Sequence, residues 1–297
     1  MSEESVQSHR AGFVALLGPP NAGKSTLLNR LLGEKLAIVT AKPQTTRSRI
    51  LGILTLPGAQ LLLQDTPGLH QSPKKLNQVL NEAVAEVAKD CDVALLLVDR
   101  GHGWKAVHDD LLARLRAAGK PLLVVGTKCD GRDAKDLVWP PSAVETNETV
   151  CSLSALTGEG IARLIEQIVE RLPESPRLYP EDELTDRPLR WLCAELVREA
   201  LFECLRQELP YSMAVEIVSF DETRTDLVGI EANVLVERES QKRIVVGAGG
   251  AMIKRIGIRA RGAIERLLGG RVHLQLFVKV DPRWQKSARR IEELGYR

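Results

Sequence analysis

One eight-residue stretch near the start of the chain most strongly limits how its 297 residues can fold. It reads Gly-Pro-Pro-Asn-Ala-Gly-Lys-Ser, the phosphate-binding pattern G-x-x-x-x-G-K-S. An apolar run, Phe13–Leu17, precedes the stretch, and leucines at helical spacing follow it up to Leu32. This motif belongs between a strand and a helix, because inward-turned backbone N–H groups and a helix N-terminus together attract phosphate.

The residues of this loop have distinct expected tasks. Lys24 is expected to reach the terminal phosphates of a nucleotide, and the Ser25 hydroxyl to bind Mg²⁺, a cation that prefers oxygen ligands. The expected phosphate-binding residues are Gly18, Pro19, Pro20, Asn21, Ala22, Gly23, Lys24, Ser25 and Thr26.

Composition is typical of a globular protein, with 44% hydrophobic and 27% charged residues. Five cysteines form no C-x-x-C pair, which favours buried thiols in a reducing compartment over disulfides or zinc ligands. The first ten residues are polar and lack the apolar centre of a signal peptide, and no apolar run approaches the length of a membrane span. We expect a cytoplasmic protein, and peripheral membrane contact stays open.

Short apolar runs alternate with amphipathic stretches from residue 12 to about residue 172. The predicted strands are Phe13–Leu17, Arg49–Leu56, Gln60–Gln64, Val93–Val98, Pro121–Val125 and Thr149–Leu153. The predicted helices are Ser25–Leu32, Leu76–Lys89, Val107–Ala118 and Gly160–Arg171. This alternation predicts an α/β fold, a mostly parallel sheet with helices on both faces, whose ligands bind at the carboxyl ends of the strands.

Two further motifs follow predicted strands at that edge. Asp65-Thr66-Pro67-Gly68 reads D-x-x-G, in which Asp65 can hold Mg²⁺ through water and the Gly68 N–H can meet a γ-phosphate. The second is the predicted base-reading motif, Gly126-Thr127-Lys128-Cys129-Asp130, which reads T-K-x-D. Its Asp130 carboxylate can accept hydrogen bonds from two adjacent donors of guanine that adenine lacks. Lys128 is expected to pack its stem along the nucleotide.

Together these motifs predict that GTP and GDP are bound. After the last predicted strand of this part, Ser154-Ala155-Leu156 offers the Ala155 N–H to the guanine carbonyl oxygen. The remaining expected nucleotide contacts come from Asp65, Thr66, Pro67, Gly68, Leu69, Thr127, Lys128, Asp130, Ser154 and Ala155.

The pattern changes after residue 172. Residues 173–188 hold four prolines and five acidic side chains, which predicts a stiffened linker. One long helix, Leu189–Leu205, two strands, a helix pair and a last strand, Val272–Val280, follow in that order.

Gly247-Ala248-Gly249-Gly250 joins the two paired helices, and such a loop lets backbone approach single-stranded RNA. Residues 242–271 carry eight basic side chains against one acid, a net +7 in a chain of net +2, so the rest carries −5. This local charge is typical of a nucleic-acid surface, and with the glycine loop it predicts that RNA is bound; no DNA partner is expected. Its expected contacts are Lys242, Arg243, Gly247, Ala248, Gly249, Gly250, Lys254 and Arg255.

The ordered motifs resemble those of the translation-factor-like GTPases, and Pro43-Gln44-Thr45-Thr46-Arg47 is similar to the first switch of the Era family. The stretches YPEDELTDRPLR, ELPYSMAVEI and FVKVDPRWQKSARRIEELGY also resemble Era. The resemblance implies a GTPase domain over residues 1–172, a linker over 173–188, and an α+β type II KH domain with a C-terminal tail over 189–297.

The resemblance also implies a function. Era-family proteins are Mg²⁺-dependent GTPases that bind near the 3′ end of 16S ribosomal RNA, assist maturation of the small ribosomal subunit and associate at times with the inner face of the plasma membrane. The alternative is a GTP-binding and RNA-binding module with negligible turnover.

Within this resemblance, the catalytic residues are Lys24, Thr46, Asp65 and Gly68, and the metal ligands are Ser25 and Thr46, with Thr45 as the alternative to Thr46. Leu69 stands where Ras-like GTPases carry a water-positioning Gln, so slow turnover is expected. Thr127 replaces the usual Asn and loses one donor. Asn21 either holds K⁺, as in some relatives, or only shapes the loop.

Overall fold

The computed structural model describes residues 9–40, 49–66, 87, 89–135, 138–205, 209–224 and 226–295. The chain divides into two compact units. The first comprises Met1–Ala37 and Arg49–Asp186, and the second comprises Ile38–Ser48 and Arg187–Arg297.

The described part of the first unit is built on a six-stranded sheet in the order β2-β3-β1-β4-β5-β6. The strands are β1 (Arg10–Leu17), β2 (Ile50–Leu56), β3 (Ala59–Asp65), β4 (Val93–Asp99), β5 (Leu122–Thr127) and β6 (Thr149–Ser152). The helices are α1 (Lys24–Leu32), α2 (Ala106–Ala117) and α3 (Ile161–Val169). Neighbouring strands are parallel except β2 and β3, which confirms the predicted mostly parallel sheet.

Helices cover both faces of this sheet because its strands are apolar on both sides. Every residue of β3 and β4 is buried. On one face, Leu28 and Leu32 of α1 pack where Gly52 has no side chain, and a Cβ there would lie 2.7 and 2.6 Å from them. On the other face, Leu111 and Leu115 of α2 join a core cluster with β1 and β4.

The functional edge of the sheet follows from its register. Leu16 of β1 pairs with Asp65 of β3, and Asp99 of β4 pairs with Thr127 of β5. Four strands therefore end at one edge, and the loops that carry the sequence motifs start there. The helix predicted over Leu76–Lys89 falls largely outside the described residues.

The proline-rich stretch after residue 172 is bonded to the first unit. The backbone N–H groups of Leu178 and Tyr179 both donate to Gln60 Oε1 at 2.9 Å, and Gln60 Nε2 donates to the Tyr179 carbonyl at 2.9 Å. Further along, Ile53 N donates to the Leu184 carbonyl at 2.9 Å. The stretch expected to act as a linker is thus held against β2 and β3 up to Asp186.

The second unit has the predicted order of helix, strand, strand, helix, helix and strand. Its elements are α4 (Leu189–Cys204), β7 (Ala214–Asp221), β8 (Val228–Val236), α5 (Glu239–Val246), α6 (Ala251–Leu268) and β9 (Val272–Val280), followed by α7 (Ala288–Glu293), which the sequence analysis did not predict. The sheet order is β7-β8-β9, antiparallel and then parallel. This arrangement confirms the predicted α+β architecture.

Alternation along β8 places the two faces of this small sheet in different surroundings. Ile230, Ala232, Val234 and Val236 lie in the core with α4 and α6. Leu235, on the opposite face, packs with Ala214 and with Trp284 and Leu294 of the C-terminal tail. Among the helices that the structure describes, none has the length and apolar character to cross a membrane.

Candidate nucleotide-binding and RNA-binding sites

The loop after β1 has the backbone geometry of a phosphate site. Gly18, Asn21 and Gly23 have positive φ angles of 150°, 62° and 92°. A Cβ at Gly18 would lie 2.7 Å from the Leu97 carbonyl oxygen, so this position admits no side chain. Gly23 directly precedes α1, which brings the loop to a helix N-terminus where phosphate is favoured.

Lys24 lies folded over this loop. Its side chain is buried, and Nζ donates to the carbonyl oxygens of Gly18 at 3.1 Å and Pro19 at 2.9 Å. Burial lowers the pKa of Lys24 to about 8, although the nearby charge of Asp65 opposes this shift. The lysine head group is therefore held beside the predicted phosphate position.

Ser25 and Asp65 form the second polar pair of the site. Ser25 Oγ donates to Asp65 Oδ2 at 2.6 Å. Burial raises the pKa of Asp65 to about 6, against the Lys24 charge and the Ser25 bond, which lower it. Asp65 Oδ1 is buried and has no hydrogen-bond partner among the described residues. An oxygen left in this way, beside a hydroxyl, fits a hard cation such as Mg²⁺.

Of the D-x-x-G motif, the structure describes the first two residues, Asp65 and Thr66. The buried Thr66 hydroxyl donates to the Leu16 carbonyl at 2.8 Å, which ties the end of β3 to β1. The predicted contacts at Pro67, Gly68 and Leu69 lie outside the described residues, and so do Thr45 and Thr46.

Thr127 connects the base-reading motif to the phosphate loop. Its hydroxyl donates to the Ala22 carbonyl at 2.8 Å and lies 3.2 Å from the Val98 carbonyl. A threonine side chain has one hydrogen-bond donor fewer than the asparagine amide that the family resemblance implies at this position. The remaining hydroxyl makes the bond to the loop, so the cross-connection between the two motifs is present.

Lys128 makes a second connection between the same two motifs. Its φ angle is 56°, in the left-handed region that non-glycine residues rarely adopt. Nζ donates to the Asn21 carbonyl and to Asp99 Oδ2, each at 2.7 Å. Sequence reasoning did not select Asp99. The sequence feature that could have identified Asp99 is its place as the one acidic residue at the end of an otherwise apolar strand, at the functional edge of the sheet.

Two loops meet where the guanine base is expected. Cys129 N donates to the Leu153 carbonyl at 3.2 Å, and Ser154 is buried, with its Oγ accepting from Thr157 N at 3.1 Å. Ala155 is half-buried, and the Asp130 side chain is exposed to solvent. The predicted base contacts therefore lie on neighbouring loops.

The loop between α5 and α6 has three glycines in left-handed backbone conformations. Gly247, Gly249 and Gly250 have φ angles of 74°, 55° and 81°. A Cβ at Gly247 would lie 2.8 Å from Met252 N, whereas a Cβ at Gly249 or Gly250 meets nothing within 4 Å. Packing therefore excludes a side chain only at Gly247. Ala248 and Gly249 are exposed, so backbone is available to a ligand there.

The basic side chains around this loop differ in their surroundings. Arg243 and Lys254 are exposed, and Lys242 is half-buried. Arg255 Nη2 donates to the Cys204 carbonyl at 2.9 Å, and Arg259 pairs with Glu203 at 2.6 Å. Two of the basic residues thus also hold α6 to α4, which the charge count by itself did not show.

Comparison with known proteins agrees with this geometry. Residues 13–128 match the family model of the 50S ribosome-binding GTPases, and residues 208–285 match the KH domain model. GTPase Era of Geotalea uraniireducens is 43% identical over 97% of this chain and 98% of its own length. GTPase Era of Nitratidesulfovibrio vulgaris strain Miyazaki F is 44% identical over 97% of both chains.

Two solved structures are similar over nearly the whole chain. Aquifex aeolicus Era bound to GDP·AlF₄⁻ has a TM-score of 0.89 at 36% identity, covering 97% of this chain and 99% of its own. An Era complex with MgGDPNP and nucleotides 1506–1542 of 16S ribosomal RNA has the same TM-score, identity and coverage. With the phosphate loop, the base-reading loops and the KH fold present in one chain, this protein belongs to the Era family of GTPases.

Proposed function

We propose that this GTPase is a nucleotide-controlled switch that binds 16S ribosomal RNA near its 3′ end and assists maturation of the small ribosomal subunit. The observation that carries the proposal is the presence, in one chain, of a formed phosphate loop and a KH glycine loop with an exposed, locally basic surface. Support for the RNA comes from the similar Era structure that holds nucleotides 1506–1542 of 16S ribosomal RNA. The alternative of a binding module with negligible turnover differs in the hydrolysis step alone.

The proposed division of labour follows the domain bounds predicted above. Residues 1–172 bind and hydrolyse GTP, residues 173–188 connect, and residues 189–297 bind RNA. The protein works in the cytoplasm on the small subunit, with peripheral membrane contact as an accessory property that rests on the family resemblance.

Within the nucleotide site, Lys24 exchanges its bonds to loop carbonyls for bonds to phosphate oxygens. Ser25 and Thr46, with Thr45 as the alternative to Thr46, would ligate Mg²⁺, and Asp65 would hold the ion through water. When bound, the ion would supply positive charge beside the β- and γ-phosphates. Gly68 meets the γ-phosphate, and Asp130 reads guanine. Because Leu69 has no polar group, water is oriented by backbone, by K⁺ held near Asn21, or by a bound partner.

Turnover by the Lys24→Ala variant tests the hydrolytic role. We expect phosphate release to fall by about 100-fold or more, because one preorganised positive charge at the developing phosphate charge is lost. Lys120→Ala is the matched control, since Lys120 precedes β5 at the opposite edge of the sheet. Normal phosphate release by a folded Lys24→Ala protein would contradict the assignment.

The same assay separates the switch from the binding module. Turnover is measured for the parent protein with and without an RNA carrying nucleotides 1506–1542 of 16S ribosomal RNA, the fragment present in the similar complex. Repeated turnover that Lys24→Ala abolishes supports the switch. Tight GTP binding with no turnover in either condition favours the binding module.

A further inference from the structure

Asp99 lies at the functional edge of the sheet without any role assigned so far. It is the last residue of β4, its register partner in β5 is Thr127, and its side chain is 10% exposed. A carboxylate in such a position needs bonds from its surroundings, because burial penalises its charged form.

Both carboxylate oxygens of Asp99 are engaged. Oδ1 accepts from Gly101 N at 2.9 Å, and Oδ2 lies 2.9 Å from His102 Nδ1. These bonds come from the turn that follows β4, so they hold the carboxylate in one orientation. Oδ2 also accepts from Lys128 Nζ at 2.7 Å.

Lys128 needs such a partner if its side chain is to be held, before a nucleotide binds, in the position where its stem will lie along that nucleotide. Its side chain is 45% exposed, and a lysine free to rotate loses appreciable entropy when it is ordered. The ammonium instead sits between Asp99 and the Asn21 carbonyl, 2.7 Å from each. One side chain thus joins the end of β4, the base-reading loop and the phosphate loop.

The electrostatics agree with this geometry. Burial raises the pKa of Asp99, but the hydrogen bonds from Lys128, Gly101 and His102 and the charge of Lys128 outweigh it and hold the pKa below its ordinary value. The carboxylate is therefore ionised at neutral pH and forms a charge-assisted bond with Lys128.

We propose that Asp99 is a positioning residue for guanine nucleotides, which orders Lys128 against the phosphate loop before the nucleotide arrives. This inference rests on the proposed role of Lys128 in the nucleotide site. Because Asp99 acts through Lys128, replacing Asp99 is expected to weaken the binding of GTP and of GDP by the same factor. The effect is expected in nucleotide affinity and release rate, because Lys128 is the group that loses its partner.

A double-mutant cycle on the full chain tests the inference. Asp99→Asn, Lys128→Met and the double variant are compared with the parent by the dissociation constants and release rates of GDP and a non-hydrolysable GTP analogue. We expect each single variant to weaken binding by about tenfold or more, the usual size for a hydrogen bond to a charged group. The double variant is expected to bind no more weakly than Lys128→Met alone.

Asp92→Asn is the matched control for stability. Asp92 lies directly before β4, and its Oδ2 accepts from Phe13 N at 2.7 Å, so the same change removes the charge of a hydrogen-bonded carboxylate at the other end of the strand. Thermal unfolding of all variants establishes that they are folded. If Asp92→Asn weakened nucleotide binding as much as Asp99→Asn does, positioning by Asp99 would be refuted.

The remaining outcomes separate the inference from the function on which it rests. Unchanged binding by Lys128→Met would overturn the placement of Lys128 in the nucleotide site, and the inference with it. Weakened binding by Lys128→Met but not by Asp99→Asn would overturn the inference alone. Additive effects in the double variant would also overturn it, and non-additive effects support it.

Discussion

At the residue scale, a hydroxyl connects the predicted base-reading loop to the phosphate loop, at a position where the family resemblance implies asparagine. The Thr127 hydroxyl donates to the Ala22 carbonyl at 2.8 Å, so the loop that reads the base stays bonded to the loop that holds phosphate. Thr127 itself is buried, whereas Asp130 is exposed. Thr127 thus bonds the two loops from within the protein, and the exposed Asp130 remains the proposed reader of the base.

The substitution Asp130→Asn tests this assignment. The carboxamide turns one acceptor into a donor, which opposes a guanine N–H but complements the additional carbonyl oxygen of xanthine. We expect GTP affinity to fall by about 100-fold or more and XTP affinity to rise, because a mispaired polar group is left in the pocket. Competition between GTP and XTP for the folded variant measures the switch in preference. Unaltered preference for GTP would mean that another group reads the base.

At the element scale, the turn between α5 and α6 determines which substitutions can test RNA binding. Gly249 and Gly250 have positive φ angles, so any side chain there strains the backbone whatever its charge. Ala248 lies in the same turn, is exposed and already carries a Cβ. A charge introduced at Ala248 therefore tests the contact with phosphate without the strain that Gly249→Asp would add.

We expect Ala248→Asp to weaken RNA binding by about tenfold or more, because a negative charge is placed where backbone meets phosphate. Ala248→Asn, of nearly the same shape but neutral, serves as the control and is expected to bind RNA closer to the parent. The probe is an RNA with nucleotides 1506–1542 of 16S ribosomal RNA, titrated at several salt concentrations. Equal affinity of Ala248→Asp and the parent would place the RNA surface elsewhere on the KH domain.

At the scale of the whole molecule, the predicted first switch lies close in sequence to a residue that is bonded within the second unit. Ile38–Ser48 clusters with the second unit, although the residues on both sides of it belong to the first. Within the second unit, Val39 N donates to Glu199 Oε1 of α4 at 3.1 Å. The predicted first switch, Pro43–Arg47, follows Val39 by a few residues in the sequence. A segment expected to respond to the nucleotide is therefore continuous in sequence with a residue that is bonded to α4.

Coupling between the sites is tested by RNA affinity with a non-hydrolysable GTP analogue, with GDP and with no nucleotide. We expect RNA to bind more tightly in the GTP state, by about 1–3 kcal/mol of coupling. By linkage, RNA must then tighten binding of the GTP analogue by the same factor. The same RNA affinity in all three states would mean that two independent modules share one chain.

The sequence by itself determined the features that depend on local chemistry and spacing. The phosphate loop is readable from Gly18, Gly23, Lys24 and Ser25, because its conformation requires glycine at fixed positions and its chemistry requires a lysine and a hydroxyl. The alternation of apolar residues along β8 and β9 likewise predicts strands, since alternate side chains of a strand lie on one face of the sheet. The α/β architecture of the first unit and the α+β architecture of the second could both be predicted from such patterns.

Only the tertiary structure decided which distant residues share a bond. It brought Asp99 to Lys128, Thr127 to Ala22 and Gln60 to Tyr179, contacts that span between 29 and 119 residues of chain. It also packed the C-terminal tail over the outer face of the second sheet, with Trp284 beside Leu235. No local pattern encodes these pairs, because strand order and register, rather than the propensity of any single segment, determine which side chains come within bonding distance.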